Sequence, residues 1–350
     1  MENLDIQNAL KELCAQYAPS GFEQPAAKTA AKLLAPLVDE VTIDTLGNVI
    51  GLRRCGKAGA RTLLLDAHID EVGLIVTGIE DGFLRFRSLG GIDPRILVDR
   101  ELMILTDPPI FGVVSCLPPH VQKSGDSDHA QPMDQLSIDI GMSQESAEKT
   151  VPIGTPIVFR QECYPLGENE FCGKSLDDRS CFVTLLRAAE LLKDRELDVD
   201  LCILGSVCEE VGGRGAQTAA FSTSPDWCVA VDVTFGQTPG LSSEECSCKV
   251  HKGPVVGIGP VIPHWMSDRL KEKAAESEIP YQTEIMAGGT GTNGDDFQTA
   301  REGISTAVLS LPLKYMHTPI EVIGLDDVEQ TARLLAAFTE NLGKEAKFPC

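Results

Sequence analysis

Three apolar runs in this chain each lead directly into carboxylates or an imidazole. Thr62-Leu63-Leu64-Leu65-Asp66-Ala67 runs into His68 and Asp70, Leu201 to Cys208 runs into Glu209 and Glu210, and Trp227 to Val231 runs into Asp232. Uninterrupted apolar stretches of this length suit strands buried on both faces, the pattern of a mostly parallel sheet flanked by helices. Open sheets of that kind bind ligands beyond the carboxyl ends of their strands. Residues far apart in sequence are therefore predicted to converge at one sheet edge, and every one of them is a metal ligand or a proton carrier.

The chain has 350 residues, enough for a large core and for two domains. Hydrophobic residues make up 43% and charged residues 23%, a globular balance. With 30 Lys and Arg against 52 Asp and Glu, the formal charge is −22. This repels phosphate backbones and anionic lipid, so neither nucleic acid nor a membrane surface is an expected partner. The first 18 residues read as an amphipathic helix without the basic start and apolar segment of a secretion signal. No apolar stretch is long enough to span a bilayer. Several of the twelve cysteines (Cys202, Cys208, Cys228) sit inside apolar runs and read as reduced core residues, which fits a cytoplasmic location. Cys246-Ser247-Cys248 lacks a second Cys/His pair at zinc-site spacing and reads as structural.

The pattern predicts helices over about 4–17 and 25–37, broken at Pro19-Ser20-Gly21, then short strands near 41–43 and 48–52. After Asp70 the character changes. From about Val72 to Pro165 the chain is cut by Gly, Pro and Asp into short β-rich pieces, with residues 124–132 as the most polar loop. The expected architecture is α/β: residues 1–70 and 166–350 form a mixed, mostly parallel sheet flanked by helices. Residues 71–165 form an inserted, small β-barrel-like domain. Helix resumes over 178–192 and closes the chain over about 326–341, with Asp326 or Asp327 placed to cap its start.

His68 and Asp70 share one face of an extended segment, because strand side chains alternate. A metal-binding imidazole needs such a carboxylate to fix its tautomer. Asp177-Asp178 precedes a helix; one acid suffices for a cap, and a second carboxylate is free to bridge cations. Glu209-Glu210 ends a buried strand, where adjacent like charges are costly unless a cation or proton compensates, and the glycines that follow permit close backbone approach. Asp232 lies inside an apolar run and needs a partner. His317 follows another apolar run. Two histidines, a bridging acid, two further acids and an adjacent glutamate make a two-metal site with a base. His120, His129, His251 and His264 lack comparable carboxylate neighbours in the sequence.

In order along the chain, Pro19-Ser20-Gly21-Phe22-Glu23, Ala67-His68-Ile69-Asp70-Glu71-Val72-Gly73, Leu176-Asp177-Asp178-Arg179, Glu209-Glu210-Val211-Gly212, Val231-Asp232 and Tyr315-Met316-His317-Thr318-Pro319 resemble the tetrahedral aminopeptidases, metallopeptidase family forty-two, whose members often carry an endoglucanase label. The resemblance spans nearly the whole chain. It implies that His68 and Asp232 hold one metal and Glu210 and His317 the other, with Asp177 bridging. It further implies a cis peptide joining Asp177 to Asp178, Glu209 as general base and Asp70 orienting His68. The implied cofactors are two divalent ions, zinc or cobalt. The implied activity is removal of N-terminal residues from short peptides through a metal-activated water. The implied assembly is a dimer or a dodecameric shell, with the inserted domain contributing contacts and shaping substrate access. One motif departs from the pattern: the family's Gly-Thr-Asp-Ala loop is Gly291-Thr292-Asn293-Gly294 here, which bears on the shape of the substrate pocket.

Other readings use the same residues. A deacetylase or carboxypeptidase of the same broad clan would share the two-metal chemistry, and a scaffold would keep the fold without it. A glucanase would need a sugar platform, and the chain has only two Trp and four Tyr.

Overall fold

The computed structural model describes residues 4–116, 131–241 and 248–343. His120, His129, Cys246 and most of the polar loop 124–132 lie outside the described residues. Four parallel strands form the centre of the molecule, in the order Asp200–Ser206, Thr62–His68, Trp227–Phe235, Ser305–Lys314. Antiparallel strands extend this centre on both sides. Val49–Arg53 and Glu40–Ile43 continue one edge, and Glu321–Gly324, Glu170–Gly173 and Tyr164–Leu166 the other. A further pair, Val255–Ile258 and Gln282–Ile285, branches from the Ser305–Lys314 strand, completing an 11-stranded mixed sheet. That branching pair is itself parallel, and the four central parallel strands carry the continuous apolar runs.

Strand alternation distributes those runs between two apolar layers. Leu63, Leu65, Leu201, Ile203, Val229 and Val231 join the layer formed with helices Ile6–Cys14, Gln24–Leu34, Leu176–Leu192, His264–Glu276 and Leu325–Asn341. Leu64, Cys202, Leu204 and Cys228 face the opposite layer, under the short helices Arg214–Thr223 and Gly294–Thr299.

Between Gly73 and Phe159 the chain forms a closed six-stranded barrel: Gly73–Glu80, Phe83–Leu89, Ser137–Asp139, Ile110–Ser115, Glu101–Ile104 and Pro156–Phe159. It has its own apolar cluster, including Leu74, Phe86, Leu102, Ile138 and Phe159.

Two helix boundaries differ from expectation. The first helix covers only Ile6–Cys14, because the Asp5 side chain accepts a hydrogen bond from the Asn8 amide and sets the start. In the last helix, Leu325–Asn341, Gly324 is the N-cap, and neither Asp326 nor Asp327 caps it. Their carboxylates turn instead to His251: Asp326 Oδ1 lies 2.7 Å from Nδ1, and Asp327 accepts from the backbone amides of His251 and Gly253. His251 thus has the carboxylate neighbours its sequence context lacked.

A buried ionic cluster ties the start of the barrel to the helix that carries Asp177. Glu71 accepts from Lys174 Nζ at 2.7 Å, Arg179 Nη2 at 3.2 Å and the Ala18 amide at 2.9 Å. Arg179 is fully buried and also donates to the carbonyls of Ile69, Leu13, Gln16 and Ala18. Burial alone would raise the Glu71 pKa, but Lys174 and Arg179 more than offset it and hold the carboxyl below its ordinary value. Glu71→Ala strands two buried cations and is expected to cost about 3–5 kcal/mol in urea unfolding at neutral pH. Because the folded pKa is depressed, the contribution of Glu71 is complete above its unfolded value and fades as pH falls through the folded one.

Candidate active site

The carboxyl ends of the four central strands bring the expected residues together around one cavity of about 580 Å³. His68 ends its strand, Glu209 and Glu210 follow Ser206, Asp232 lies late in its strand, and His317 follows Lys314. All five, with Asp177, line the cavity.

Each imidazole turns its Nδ1 toward an oxygen, hydrogen-bonded for His317 and not for His68. His317 Nδ1 lies 2.7 Å from the carbonyl oxygen of Gly91, a residue of the insertion, and His68 Nδ1 lies 3.4 Å from Asp70 Oδ1. A proton held on Nδ1 leaves Nε2 as the free lone pair, the arrangement by which metal-ligating histidines are set. Both Nε2 atoms face the same carboxylate. His68 Nε2 is 3.1 Å from Asp177 Oδ1, and His317 Nε2 is 3.3 Å from Asp177 Oδ2. His317 Nε2 is also 3.3 Å from Glu210 Oε1, and Glu209 Oε2 lies 4.0 Å from His68 Nε2.

Asp177 reaches this position through an unusual backbone. The Asp177–Asp178 peptide is cis, Ser175 enters the helix at φ 61°, and both aspartates have non-helical dihedrals inside the helix Leu176–Leu192. Neither serves as the N-cap. Left-handed φ values also occur at Cys208 (58°) and His317 (59°), next to or at the converging residues. Non-glycine residues pay for that conformation, and such strain clusters at functional sites. At Gly213, with φ 64°, an added Cβ would sit 1.6 Å from Asp296 Oδ2, so the turn after Glu209-Glu210 requires glycine.

Two of the three donor sets that the described residues bring close enough to share a cation lie here, the third being His251, Asp326 and Asp327. Among the described residues, ligand atoms of His68, Asp178 and Asp232 lie within 4.8 Å of one another, as do those of His68, Asp177 and Glu210. Asp178 was expected only as the neighbour of Asp177. Its Oδ2 accepts from the His68 amide, while its buried Oδ1 has no protein partner.

The cavity is charged on one side of the ledger. Its lining includes five carboxylates near the two imidazoles, counting Glu284 at the rim, and no Lys or Arg. Burial pushes Glu209 up to about 7, with Glu210 and Asp70 adding to the effect against the pull of His68. Burial and the Glu209 and Asp177 charges raise Asp232 well above the carboxylate range. Burial works against the His317 imidazolium, yet hydrogen bonds to Asp177 and Glu210 lift it to about 11. Asp177, between the two rings, moves down despite its burial. Clustered acids that cannot all ionise, with imidazoles forced to carry protons, are the signature of a site built for more positive charge than its side chains supply.

Several supporting residues have no strong signature in the sequence. Ser20 Oγ donates to Asp70 Oδ2 at 2.6 Å, and Asp70 also accepts from the amides of Glu209 and Glu210. Asp70 therefore lies between His68 and the Glu209 turn, and holds the turn by two backbone amides. Glu321 is buried and accepts from the amides of Asp177 and His317 at 3.1 and 2.9 Å. It joins two of the convergent loops across 144 residues of chain.

The Asn293 substitution falls behind the pocket wall. Thr290, Gly291 and Thr292 line the cavity, but Asn293 is buried and donates from Nδ2 to Asp66 Oδ2 at 2.9 Å and Ser206 Oγ at 2.8 Å. Burial lifts Asp66 to about 7, moderated by those partners. An aspartate at 293 would face Asp66 directly, whereas the amide supplies the donor that Asp66 needs.

Comparison with known proteins agrees with this geometry. The M42 glutamyl aminopeptidase profile matches residues 47–334. A lysyl aminopeptidase of Pyrococcus furiosus is 35% identical over 339 residues, covering 95% of this chain and 96% of that one. Among solved structures, an aminopeptidase of the archaeon Desulfurococcus kamchatkensis superposes with a TM-score of 0.89 at 33% identity, over 96% of this chain and 94% of its own. The Pyrococcus horikoshii TET1 peptidase, described as assembling into a tetrahedron or a large octahedral shell, gives 0.85 at 30% identity over 97% and 100%. The chain belongs to the M42 glutamyl aminopeptidase family, and it is a peptidase.

Proposed function

We propose that this protein removes N-terminal residues from short peptides with two divalent cations, zinc or cobalt. The observation that carries the reading is Asp177, whose two oxygens each face the Nε2 of a different histidine. In this reading His68 and Asp232 hold one ion, Glu210 and His317 the other, and Asp177 spans them. The partnerless Asp178 Oδ1 and the carboxylate excess fit such cations. When bound, the ions supply Lewis acidity, which makes water a competent nucleophile at neutral pH and polarises the scissile carbonyl.

The protein's own groups do the rest. Glu209 faces the cavity beside His68, and its backbone is pinned by Asp70. It accepts a proton from the attacking water as the oxygen bonds to the carbonyl carbon. It then gives that proton to the departing amine as the C–N bond breaks. Asp70 and Ser20 hold the His68 ring, and Glu321 holds the Asp177 and His317 loops. Acidic walls draw a free α-ammonium into place. The same walls bear on side-chain choice. Glu284, which accepts from Thr234 Oγ1 at 2.8 Å, brings a further carboxylate to the cavity. An N-terminal Lys or Arg is thereby favoured over Glu.

The insertion, taken as residues 71–165, closes over this edge through the Gly91 carbonyl and contributes to substrate access. It also contributes contacts to a self-assembled dimer or shell of the kind described for TET1 peptidase. The test uses peptides differing only at the first residue, each offered free and N-acetylated. Free N-termini are cleaved, with Lys ahead of Leu and Leu ahead of Glu, and Glu284→Gln narrows the Lys advantage. Equal cleavage of acetylated peptides points instead to a deacylase of the same chemistry.

A further inference from the structure

Away from the cavity, two thiols from distant parts of the chain meet beneath the segment that leads into Asp177. Cys14 ends the first helix, and Cys163 lies 149 residues later, just before the strand Tyr164–Leu166. Each thiol perturbs the other's titration, as neighbouring groups do. They also contact consecutive carbonyls: Cys14 Sγ donates to Ser175 O at 3.7 Å, and Cys163 Sγ donates to Lys174 O at 3.9 Å. The two cysteines differ in access. Cys14 is buried, while Cys163 is half-buried, and both line a separate cavity of about 340 Å³ with Lys11, Tyr17 and Glu162.

We propose that Cys14 and Cys163 are an oxidation site, a dithiol that hydrogen peroxide converts to an intrachain disulfide. The chemistry assigns distinct roles. The Cys163 thiolate attacks one peroxide oxygen, giving a sulfenic acid and releasing hydroxide. The Cys14 sulfur then attacks the sulfenic sulfur, forming the S–S bond. The displaced hydroxide leaves as water with the Cys14 proton. Overall two thiols and one peroxide become one disulfide and two waters, each sulfur giving up one electron. An accessible thiol favoured as thiolate, next to a resolving thiol, is the arrangement that makes a cysteine peroxide-sensitive. The neighbouring Cys14 holds the Cys163 thiol below its ordinary value, with Lys174 and Arg179 assisting, whereas the Cys14 thiol is pushed up. Elsewhere, burial pushes the Cys181 and Cys228 thiols well up and Cys202 and Cys208 to about 12.

Oxidation removes both S–H donors from the Lys174 and Ser175 carbonyls. Ser175 is two residues from Asp177, so the disulfide is expected to slow turnover.

The metal-loaded enzyme is treated with hydrogen peroxide, digested without reduction and analysed by mass spectrometry. The expected product is a linked Cys14–Cys163 peptide pair two mass units below the sum of its thiols. Turnover falls several-fold and returns with dithiothreitol. Cys163→Ser and, separately, Cys14→Ser remove the linked peptide and the reversible loss, and because each keeps a hydroxyl donor for its carbonyl they leave untreated turnover unchanged. The proposal is overturned if both thiols stay free while other cysteines oxidise, or if Cys163 is oxidised without linking to Cys14. A linked pair with unchanged turnover overturns its connection to the Asp177 segment. The linkage is read by mass alone, so it stands or falls separately from the peptidase mechanism.

Discussion

Glu209→Gln is expected to lower kcat by about 10²–10⁴-fold, the range for loss of a general base, while leaving both metal ions bound. The amide is nearly isosteric and keeps the backbone hydrogen bond to Asp70, so the turn and its neighbours stay in place. It cannot take up a proton. Equilibrium metal analysis alongside steady-state kinetics separates the two effects: unchanged metal content with collapsed kcat is the expected pair. A variant that keeps most of its turnover removes Glu209 from the base role.

Asp177→Asn is expected to have the larger effect on metal content. The carboxylate now faces both histidine Nε2 atoms, and the amide loses its charge and one of its two acceptor oxygens. Binding falls below two ions per chain, and turnover falls with it, recovering only in part at high metal concentration. Metal content per chain by mass spectrometry, with activity measured across a zinc titration, checks this. A variant that holds two ions as tightly as the parent contradicts the bridging role.

The legible part of the fold was the part with long apolar runs. Strands buried on both sides must be continuous in hydrophobicity, so Thr62–His68 and Trp227–Phe235 announced themselves, and the residues at their ends pointed to one edge. The barrel was legible through its punctuation by Gly, Pro and Asp. The short outer strands Glu40–Ile43 and Val49–Arg53 were legible near their places, whereas Tyr164–Leu166, three exposed residues long, was not.

At the site, histidines and paired acids carried enough chemical signal to be singled out, and the structure gathers them around one cavity. Ser20, Gly91 and Glu321 did not, because each makes a hydrogen bond across a large chain separation that no local spacing encodes, Glu321 tying Asp177 to its neighbour His317. Pro19-Ser20-Gly21 was read as a helix break and as one motif of the family resemblance, with no role assigned to Ser20. His251 shows the same limit, as its acidic partners lie 75 and 76 residues away. Asn293 was legible as a departure, but its place behind the wall depends on Asp66, 227 residues earlier.

The most direct test of the two-metal aminopeptidase account is hydrolysis of aminoacyl-p-nitroanilides by chelated protein, before and after zinc or cobalt is added. The account predicts no release from the stripped protein, with release from substrates bearing a free N-terminus as the ions are restored to two per chain. Full activity in the stripped protein, or none with two ions bound, would contradict it.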